Sequence, residues 1–210
     1  MIKYMFYNGT AKYDNKMGGG FNMRKKIFIV FLCVLIIVGI VFSYSRTYKI
    51  SDNKNQLEYT IKQFINRPTV IYKNIDIKQE LNINNKKYIL LLIDNLLGDA
   101  ELTKGINNKY KIESAGTVQS FSQEIYKTNT DKYLIVKGKN PDMKISYLKI
   151  TLNNKEYKVI IPHQEYYIAY CELPIKTVGT QLVYPDINTM KLYNKNDVDI
   201  TNEMTKILFQ

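Results

Sequence analysis

At 210 residues the chain has room for one or two small domains besides a targeting segment, and 45% apolar residues is too many for a wholly disordered chain. Its formal net charge is +11, but 27 of its 30 basic residues are lysine and only three are arginine. Arginine is the usual residue for reading bases and phosphates, so nucleic-acid binding is not expected. Lysine, asparagine, isoleucine and tyrosine have AT-rich codons, and an AT-rich bacterial genome accounts for much of the lysine excess.

The first 22 residues precede a second methionine, Met23, and contain three consecutive glycines at 18–20. Three glycine codons, two more codons and then a methionine codon resemble a bacterial ribosome-binding site at its usual spacing. We therefore interpret residues 1–22 as an over-extended gene start or a short cytoplasmic tail.

An uncharged run of 19 residues follows at 27–45. As a helix it would be ~28 Å long, close to the ~30 Å hydrocarbon core of a bilayer. Arg24, Lys25 and Lys26 stand directly before it, and by the positive-inside rule they keep the N-terminus in the cytoplasm. We predict a signal-anchor helix at 23–45, with the rest of the chain outside the cell.

A cleaved secretory signal is the alternative to an anchor. Ser43 and Ser45 could occupy the cleavage site, but the apolar run exceeds the about 7–15 residues of a typical signal, and neither is alanine. We therefore favour a retained anchor, followed by a short stalk at 46–51.

The stretch 52–66 has the pattern of an amphipathic helix. Asp52 suits the N-cap, and Pro68 disfavours continuation beyond the stretch. The apolar residues that recur at helical spacing are Leu57, Ile61, Phe64 and Ile65. Such a helix needs a surface to cover.

From residue 75 onward the apolar period changes to two, which is typical of strands. The first of these strands is expected to be interrupted at Gln79. Further strands are predicted at 86–94, 99–105, 109–115, 118–127, 132–138, 144–152, 156–162, 165–173, 180–184 and 190–194. Their spacing of about ten residues indicates antiparallel sheets.

Three similar segments, at 83–88, 106–110 and 152–157, each place Asn-Asn before lysine. Asparagine tolerates positive φ better than most residues, so these segments are predicted as tight hairpin turns rather than as a repeated ligand site.

The predicted fold class is α+β and β-rich. After the N-terminal transmembrane helix, residues 52–127 are expected to form the amphipathic helix packed on an antiparallel sheet. Residues 131–210 are expected to form a small β-sandwich-like region ending in a short helix after Asp199 or Thr201. The inward residues of that helix should be Met204, Ile207 and Leu208. The candidate boundary is at 128–131, and one continuous domain is the alternative.

No catalytic residue, cofactor or metal site is predicted. The single histidine, His163, and the single cysteine beyond the anchor, Cys171, cannot build a structural zinc site, and nothing orients them as a nucleophilic pair. Asp94, Asp99 and Glu101 lie close in sequence but lack the spacing of a calcium loop. A solvated turn and a buried strand cysteine are the expected structures.

Three lysines, Lys137, Lys139 and Lys144, surround a Gly and a Pro-Asp turn. They could contact an anionic lipid or wall polymer, although a Lys-rich turn between strands is the simpler interpretation.

Three tyrosines of one predicted strand suggest an aromatic platform for a sugar or peptide. At period two, Tyr166 and Tyr170 share a face and Tyr167 lies opposite, so one face should be core and the other exposed. The strand propensity of tyrosine explains the pattern equally.

Together these features predict a membrane-anchored extracytoplasmic binding or adaptor module of the bacterial cell envelope. Its expected partners are the membrane it spans and an envelope protein, anionic lipid or wall polymer. An extracytoplasmic enzyme without a recognisable motif is one alternative, and a domain secreted after signal cleavage is another.

Overall fold

The computed structural model describes residues 19–66, 70–128, 131–174 and 190–208, with side chains from residue 23 onward. The chain divides into two compact units, the first ending at Thr47 and the second beginning at Tyr48. The helices are α1 (Gly19–Thr47), α2 (Lys54–Ile65) and α3 (Thr201–Leu208). The strands are β1 (Ile75–Ile83), β2 (Lys86–Ile93), β3 (Leu96–Lys104), β4 (Tyr110–Thr117), β5 (Phe121–Lys127), β6 (Lys132–Lys139), β7 (Tyr147–Leu152), β8 (Lys155–Ile160), β9 (Tyr166–Leu173) and β10 (Met190–Tyr193). The predicted strand at 180–184 lies outside the described residues.

Helix α1 carries the apolar run. Its 25-residue stretch Met23–Thr47 is long and apolar enough to cross a membrane. The hydroxyl of Ser45 donates to the carbonyl of Val41 at 2.8 Å, so this polar group is satisfied within the helix. One helix of the described chain could therefore span a bilayer, although a signal sequence would meet the same criteria.

The basic residues Arg24, Lys25 and Lys26 lie in the N-terminal turns of α1. Residues 1–18 lie outside the described part of the chain, so the interpretation of residues 1–22 stays a prediction.

The segment after α1 belongs to the second unit. Ile50 is 4% exposed and exchanges two backbone hydrogen bonds with Tyr110, at 3.1 and 2.8 Å. The residues predicted as a stalk, 46–51, are thus divided between the end of α1 and a bridge to strand β4.

Helix α2 begins one residue later than predicted. Asn53 is the N-cap, and its side-chain oxygen accepts from the backbone N–H of Gln56 at 3.3 Å. Asp52 is used elsewhere, because its carboxylate pairs with the buried Lys87 at 2.6 Å.

The apolar face of α2 is narrower than predicted. Leu57, Ile61 and Ile65 are buried at successive four-residue spacing. Phe64 is 48% exposed, because it lies beside this row rather than in it, and its predicted burial is wrong.

The described strands of the second unit form three antiparallel sheets. The helix-covered sheet has the order β1-β2-β3-β4, the central sheet β5-β6-β9 and the outer sheet β10-β7-β8. The predicted α+β, β-rich class is confirmed.

The apolar clusters show how these elements stack. One cluster joins α2 to one face of the helix-covered sheet, and a second joins the other face of that sheet to the central sheet. A third joins the central sheet to the outer sheet and α3. Strand β6 lies between two sheets and is therefore buried along nearly its whole length.

The asparagine turns form as predicted. Asn84, Asn108, Asn153 and Asn154 have φ between 49° and 59°. A further hairpin turn between β2 and β3 uses Asp94 and Asn95, whose φ angles are 47° and 72°.

The strand pairing moves the boundary between the sheets. Strand β5 pairs with β6, so the chain passes from the helix-covered sheet to the central sheet at 118–120 rather than at 128–131. Strand β1 is continuous and carries a β-bulge between Ile77 and Gln79 where an interruption was predicted.

Helix α3 forms close to the predicted position. Met204 and Leu208 are buried as expected. Ile207 is 45% exposed, so its predicted inward orientation is wrong, because the short helix presents only one row to the sheet.

Candidate ligand-binding groove

The fold separates the three lysines predicted to form an anionic-contact surface. Lys137 is only 4% exposed and lies between the central and helix-covered sheets. Its ammonium pairs with Asp99 of β3 and, at 3.0 Å, with Glu124 of β5. The expectation that Lys137 lies on the surface is corrected, because both faces of its strand are covered.

The charge of Lys137 is held by its neighbours. Burial disfavours the ammonium, but the carboxylates of Asp99 and Glu124 outweigh burial and hold the pKa of Lys137 above its ordinary value. This lysine is therefore a structural cation.

Lys139 and Lys144 are exposed but have different neighbours. The Lys139 ammonium lies 3.4 Å from Glu165, and that of Lys144 lies 2.8 Å from Glu203. The two lysines line separate cavities. Contact of either lysine with an anionic polymer stays a prediction.

The predicted tyrosine platform is also divided. Tyr167 is fully buried and lies opposite Tyr166 and Tyr170, as the strand period required. Tyr170 is 46% exposed and ends a row of ring contacts that runs through Tyr133 to Tyr126 at centroid distances of 5.9 and 6.3 Å. Tyr166 is half-buried and lies against lysines instead.

The histidine and the exterior cysteine have separate surroundings. Cys171 is half-buried on β9, and burial raises the pKa of its thiol to about 11, so the thiol is protonated at neutral pH. His163 is exposed and lines a cavity of about 440 Å³ together with Asp142, Lys144 and Glu203. Among the described residues, no group of three or more histidine, cysteine and acidic side chains could hold a metal ion.

The acidic residues near 94–101 serve the fold. The Asp94 carboxylate accepts the backbone N–H groups of Lys73 and Asn74 at 2.9 and 2.7 Å, and these bonds lower its pKa. Asp99 pairs with Lys137, and Glu101 pairs with Lys86. The three carboxylates therefore have separate partners.

A groove of about 520 Å³, beside the β2–β3 turn, is lined by residues of both the helix-covered and the central sheet. Its apolar lining consists of Leu92, Leu96, Leu97, Val118, Tyr166 and Leu208. Its uncharged polar lining consists of Asn95, Thr117, Gln119 and Ser120. Leu96 is 58% exposed, which is high for a leucine beside a cavity. The volume lies in the range of small-molecule sites.

One wall of the groove carries a cation against an aromatic ring. Lys139 and Tyr166 are directly paired residues of β6 and β9, and the ammonium lies 5.9 Å from the ring centroid. The Lys78 ammonium lies 5.6 Å from the same ring. Hydrogen bonding to Asp76 at 2.6 Å raises the pKa of Lys78.

Backbone hydrogen bonds connect the walls of the groove. The N–H of Val118 donates to Leu97 at 2.9 Å, and the N–H of Lys139 donates to Ser120 at 2.9 Å. A Cβ on Gly138 would lie 2.7 Å from the Ser120 carbonyl oxygen, so glycine is what allows this close approach. The groove is therefore a preformed feature of the sheet junction.

A weak signal for this groove is present in the sequence. Leu96 and Leu97 are adjacent on a strand, so strand alternation turns them to opposite faces, and a leucine is left at the surface. The other lining residues come from seven elements or connections, namely β2, the β2–β3 turn, β4, the 118–120 connection, β6, β9 and α3, and only the tertiary structure brings all of them together.

Comparison of the chain with protein-family models, with curated proteins and with solved structures finds no match. The candidate site therefore rests on the geometry of this chain.

Proposed function

We propose that this protein is a membrane-anchored binding module of the bacterial cell envelope, with its second unit outside the cell and the groove as its ligand site. The observation that supports binding is the groove itself, a cavity of about 520 Å³ with a lining of both apolar and polar residues and with the exposed Leu96 at its rim. Exposed apolar surface beside a preformed cavity is typical of ligand sites.

The chemistry of the groove favours binding over catalysis. Its described lining includes Lys139 but no acidic residue, histidine or cysteine. Carboxyl groups with shifted pKa values elsewhere in the described chain, those of Asp76, Asp94, Glu113 and Asp199, are all shifted downward. A general acid needs a carboxyl pKa shifted in the opposite direction.

The location is supported by α1 and the residues before it. Met23–Thr47 has the length and hydropathy of a membrane span, and Arg24, Lys25 and Lys26 precede its apolar part. The positive-inside rule then directs the second unit outward.

A cysteine in place of Ile106, which is 92% exposed, tests this topology. Cells producing the full-length Ile106→Cys protein are treated with a membrane-impermeant maleimide before or after lysis. We expect labelling in intact cells and retention of the labelled protein in the membrane fraction. Labelling only after lysis would reverse the orientation, and labelled protein in the medium would show cleavage.

Photo-crosslinking tests the groove as the ligand site. A photoreactive phenylalanine replaces Leu96 in full-length protein made in source cells, and the matched control carries it at the exposed Ile106. We expect an adduct specific to position 96 that disappears when Gln119→Trp fills the groove. Equal adducts at both positions, or insensitivity to Gln119→Trp, would contradict the proposal.

A further inference from the structure

The residues that line the groove indicate the chemical class of its ligand. Its aliphatic residues, Leu92, Leu96, Leu97, Val118 and Leu208, offer a surface that requires no hydrogen bonds from its occupant. Lys139 is the charged residue of the described lining. An occupant complementary to both parts has an apolar body and a negative group.

The cation of this wall can change partners. Lys139 and Glu165 are 3.4 Å apart, and their side chains are 44% and 55% exposed. Exposed ion pairs of this kind contribute little stability, so an incoming anion can replace the Glu165 carboxylate at small cost. Lys78, on the same tyrosine ring, adds positive potential.

The backbone bonds of the walls argue against an added peptide strand. The N–H of Val118 and the carbonyl of Leu97 pair with each other, as do the N–H of Lys139 and the carbonyl of Ser120. A peptide bound as a strand needs free backbone donors and acceptors at a sheet edge. A hydrocarbon chain needs none.

We infer that the groove binds an amphiphile with one hydrocarbon chain and an anionic head group. The chain lies over Leu92 and Leu97, with Leu96 at the rim, and the head group pairs with Lys139 beside Tyr166. This inference rests on the proposed function of the groove as a ligand site. The head group is a carboxylate, as in a fatty acid, or a phosphate, as in a single-chain phospholipid.

The test uses the full-length protein held in amphipol, without free detergent. Displacement of a dansyl-labelled undecanoate measures the affinity for octanoate, decanoate and dodecanoate below their micellar concentrations. We expect the Kd to fall by about two- to fourfold for each methylene added, because each buried methylene contributes a nearly constant free energy. An affinity that does not change with chain length would overturn the inference.

Substitutions of Lys139 test whether its ammonium pairs with the head group. Lys139→Glu should weaken dodecanoate binding by about tenfold and leave a neutral dodecyl maltoside unaffected, while Lys139→Arg should retain the affinity within about threefold. Lys144→Glu is the matched control, since Lys144 is 43% exposed and paired with a glutamate outside the groove. An equal loss in both glutamate variants would overturn the assignment of Lys139.

Two further measurements identify the head group and test the part played by Leu96. Dodecyl phosphate binding more tightly than dodecanoate would assign a phospholipid-type ligand, and the reverse order a fatty-acid-type ligand. Leu96→Asp should reduce displacement to the background level that binding to the apolar α1 sets in every variant.

Crosslinking at position 96 and amphiphile binding together distinguish failure of this inference from failure of the proposed binding function. A groove-specific adduct at position 96 without amphiphile binding would overturn this inference and leave the binding function intact. Absence of both would overturn the two together.

Discussion

The two faces of the central sheet differ in chemistry although they belong to the same three strands. The face toward the outer sheet is apolar and includes Leu134, Val136 and the ring of Tyr167. The face toward the helix-covered sheet combines an apolar half, with Ile135, and a charged half around Lys137.

The difference shows what each interface does. Apolar packing is strong but non-directional, so it tolerates small shifts between sheets. The buried ammonium of Lys137 has two carboxylate partners, and one of them, Asp99, belongs to β3 of the other sheet. We therefore expect this pair to help specify how the helix-covered sheet is placed on the central sheet. The groove opens beside this specified junction.

The largest effect is expected when the charged face loses one partner. Asp99→Ala leaves the ammonium of Lys137 buried with Glu124 alone and should lower the free energy of unfolding by about 3–5 kcal/mol. Urea unfolding of the full chain in detergent measures it. Glu165→Ala, which removes the exposed partner of Lys139, is the control and should change stability by less than about 0.5 kcal/mol.

Replacing the whole charged cluster sharpens this test. The triple variant Lys137→Met, Asp99→Leu and Glu124→Leu removes the ammonium and both of its carboxylate partners, and it should recover most of the loss seen in Asp99→Ala. A triple variant as unstable as the single one would show that packing, rather than an unpaired charge, causes the loss.

On the apolar face, truncation of a buried side chain should lower stability, and this loss is not one that removing a charge can recover. Leu134 is fully buried, and Leu134→Ala should lower the free energy of unfolding by about 2–5 kcal/mol through lost transfer energy and a cavity. The loss should not change with salt concentration. Ile106→Ala, at a 92% exposed position, is the neutral control.

Gly138 tests the approach of the 118–120 connection to β6. The added methyl of Gly138→Ala would lie 2.7 Å from the Ser120 carbonyl oxygen and should cost about 1–3 kcal/mol of stability. Because this connection is also a groove wall, ligand crosslinking at Leu96 should fall in parallel. Unchanged stability and crosslinking would show that the wall is free to move.

Alkaline pH distinguishes the two faces. The pKa of Lys137 is raised, so its contribution to stability is complete below the pKa of an unfolded lysine, ~10.4, and is lost as pH rises through the folded value. In that range stability should fall by about 1.4 kcal/mol per pH unit more steeply in the wild type than in the triple variant Lys137→Met, Asp99→Leu and Glu124→Leu. Parallel curves would exclude Lys137 as the titrating group.

The smallest effect concerns the hydroxyl of Tyr167, which is buried in the apolar face and has no hydrogen-bond partner among the described residues. Tyr167→Phe removes this unsatisfied group and should raise stability by about 1 kcal/mol at neutral pH. A loss of stability would reveal a partner for the hydroxyl.

Much of the local structure was predictable. The period-two pattern identified nearly every described strand, and the Asn-Asn segments predicted hairpin turns, because alternation and positive φ are properties of a few adjacent residues. The burial predicted for Phe64 and Ile207 was wrong, because burial depends on how wide a strip of each helix the packed surface covers.

The candidate site was harder to predict from the sequence than the local structure. Lys139 and Tyr166 were singled out separately, one as a surface lysine and the other as part of an aromatic platform, and the structure places them side by side. Lys137 and Lys139 share a strand face, but Lys137 is covered by the helix-covered sheet, whereas Lys139 is the last residue of β6 and stays partly exposed.

The apolar helix, the amphipathic helix, the strands and their turns follow from the residues alone, because they depend on periodicity and local backbone preference. The packed fold is needed to explain why β5 joins β6, why Lys137 is buried against Asp99, and why Leu96, Lys139 and Tyr166 share one groove. The reason is that pairing between strands and stacking between sheets join residues distant in the chain, and the free energy of those contacts is a property of the assembled fold.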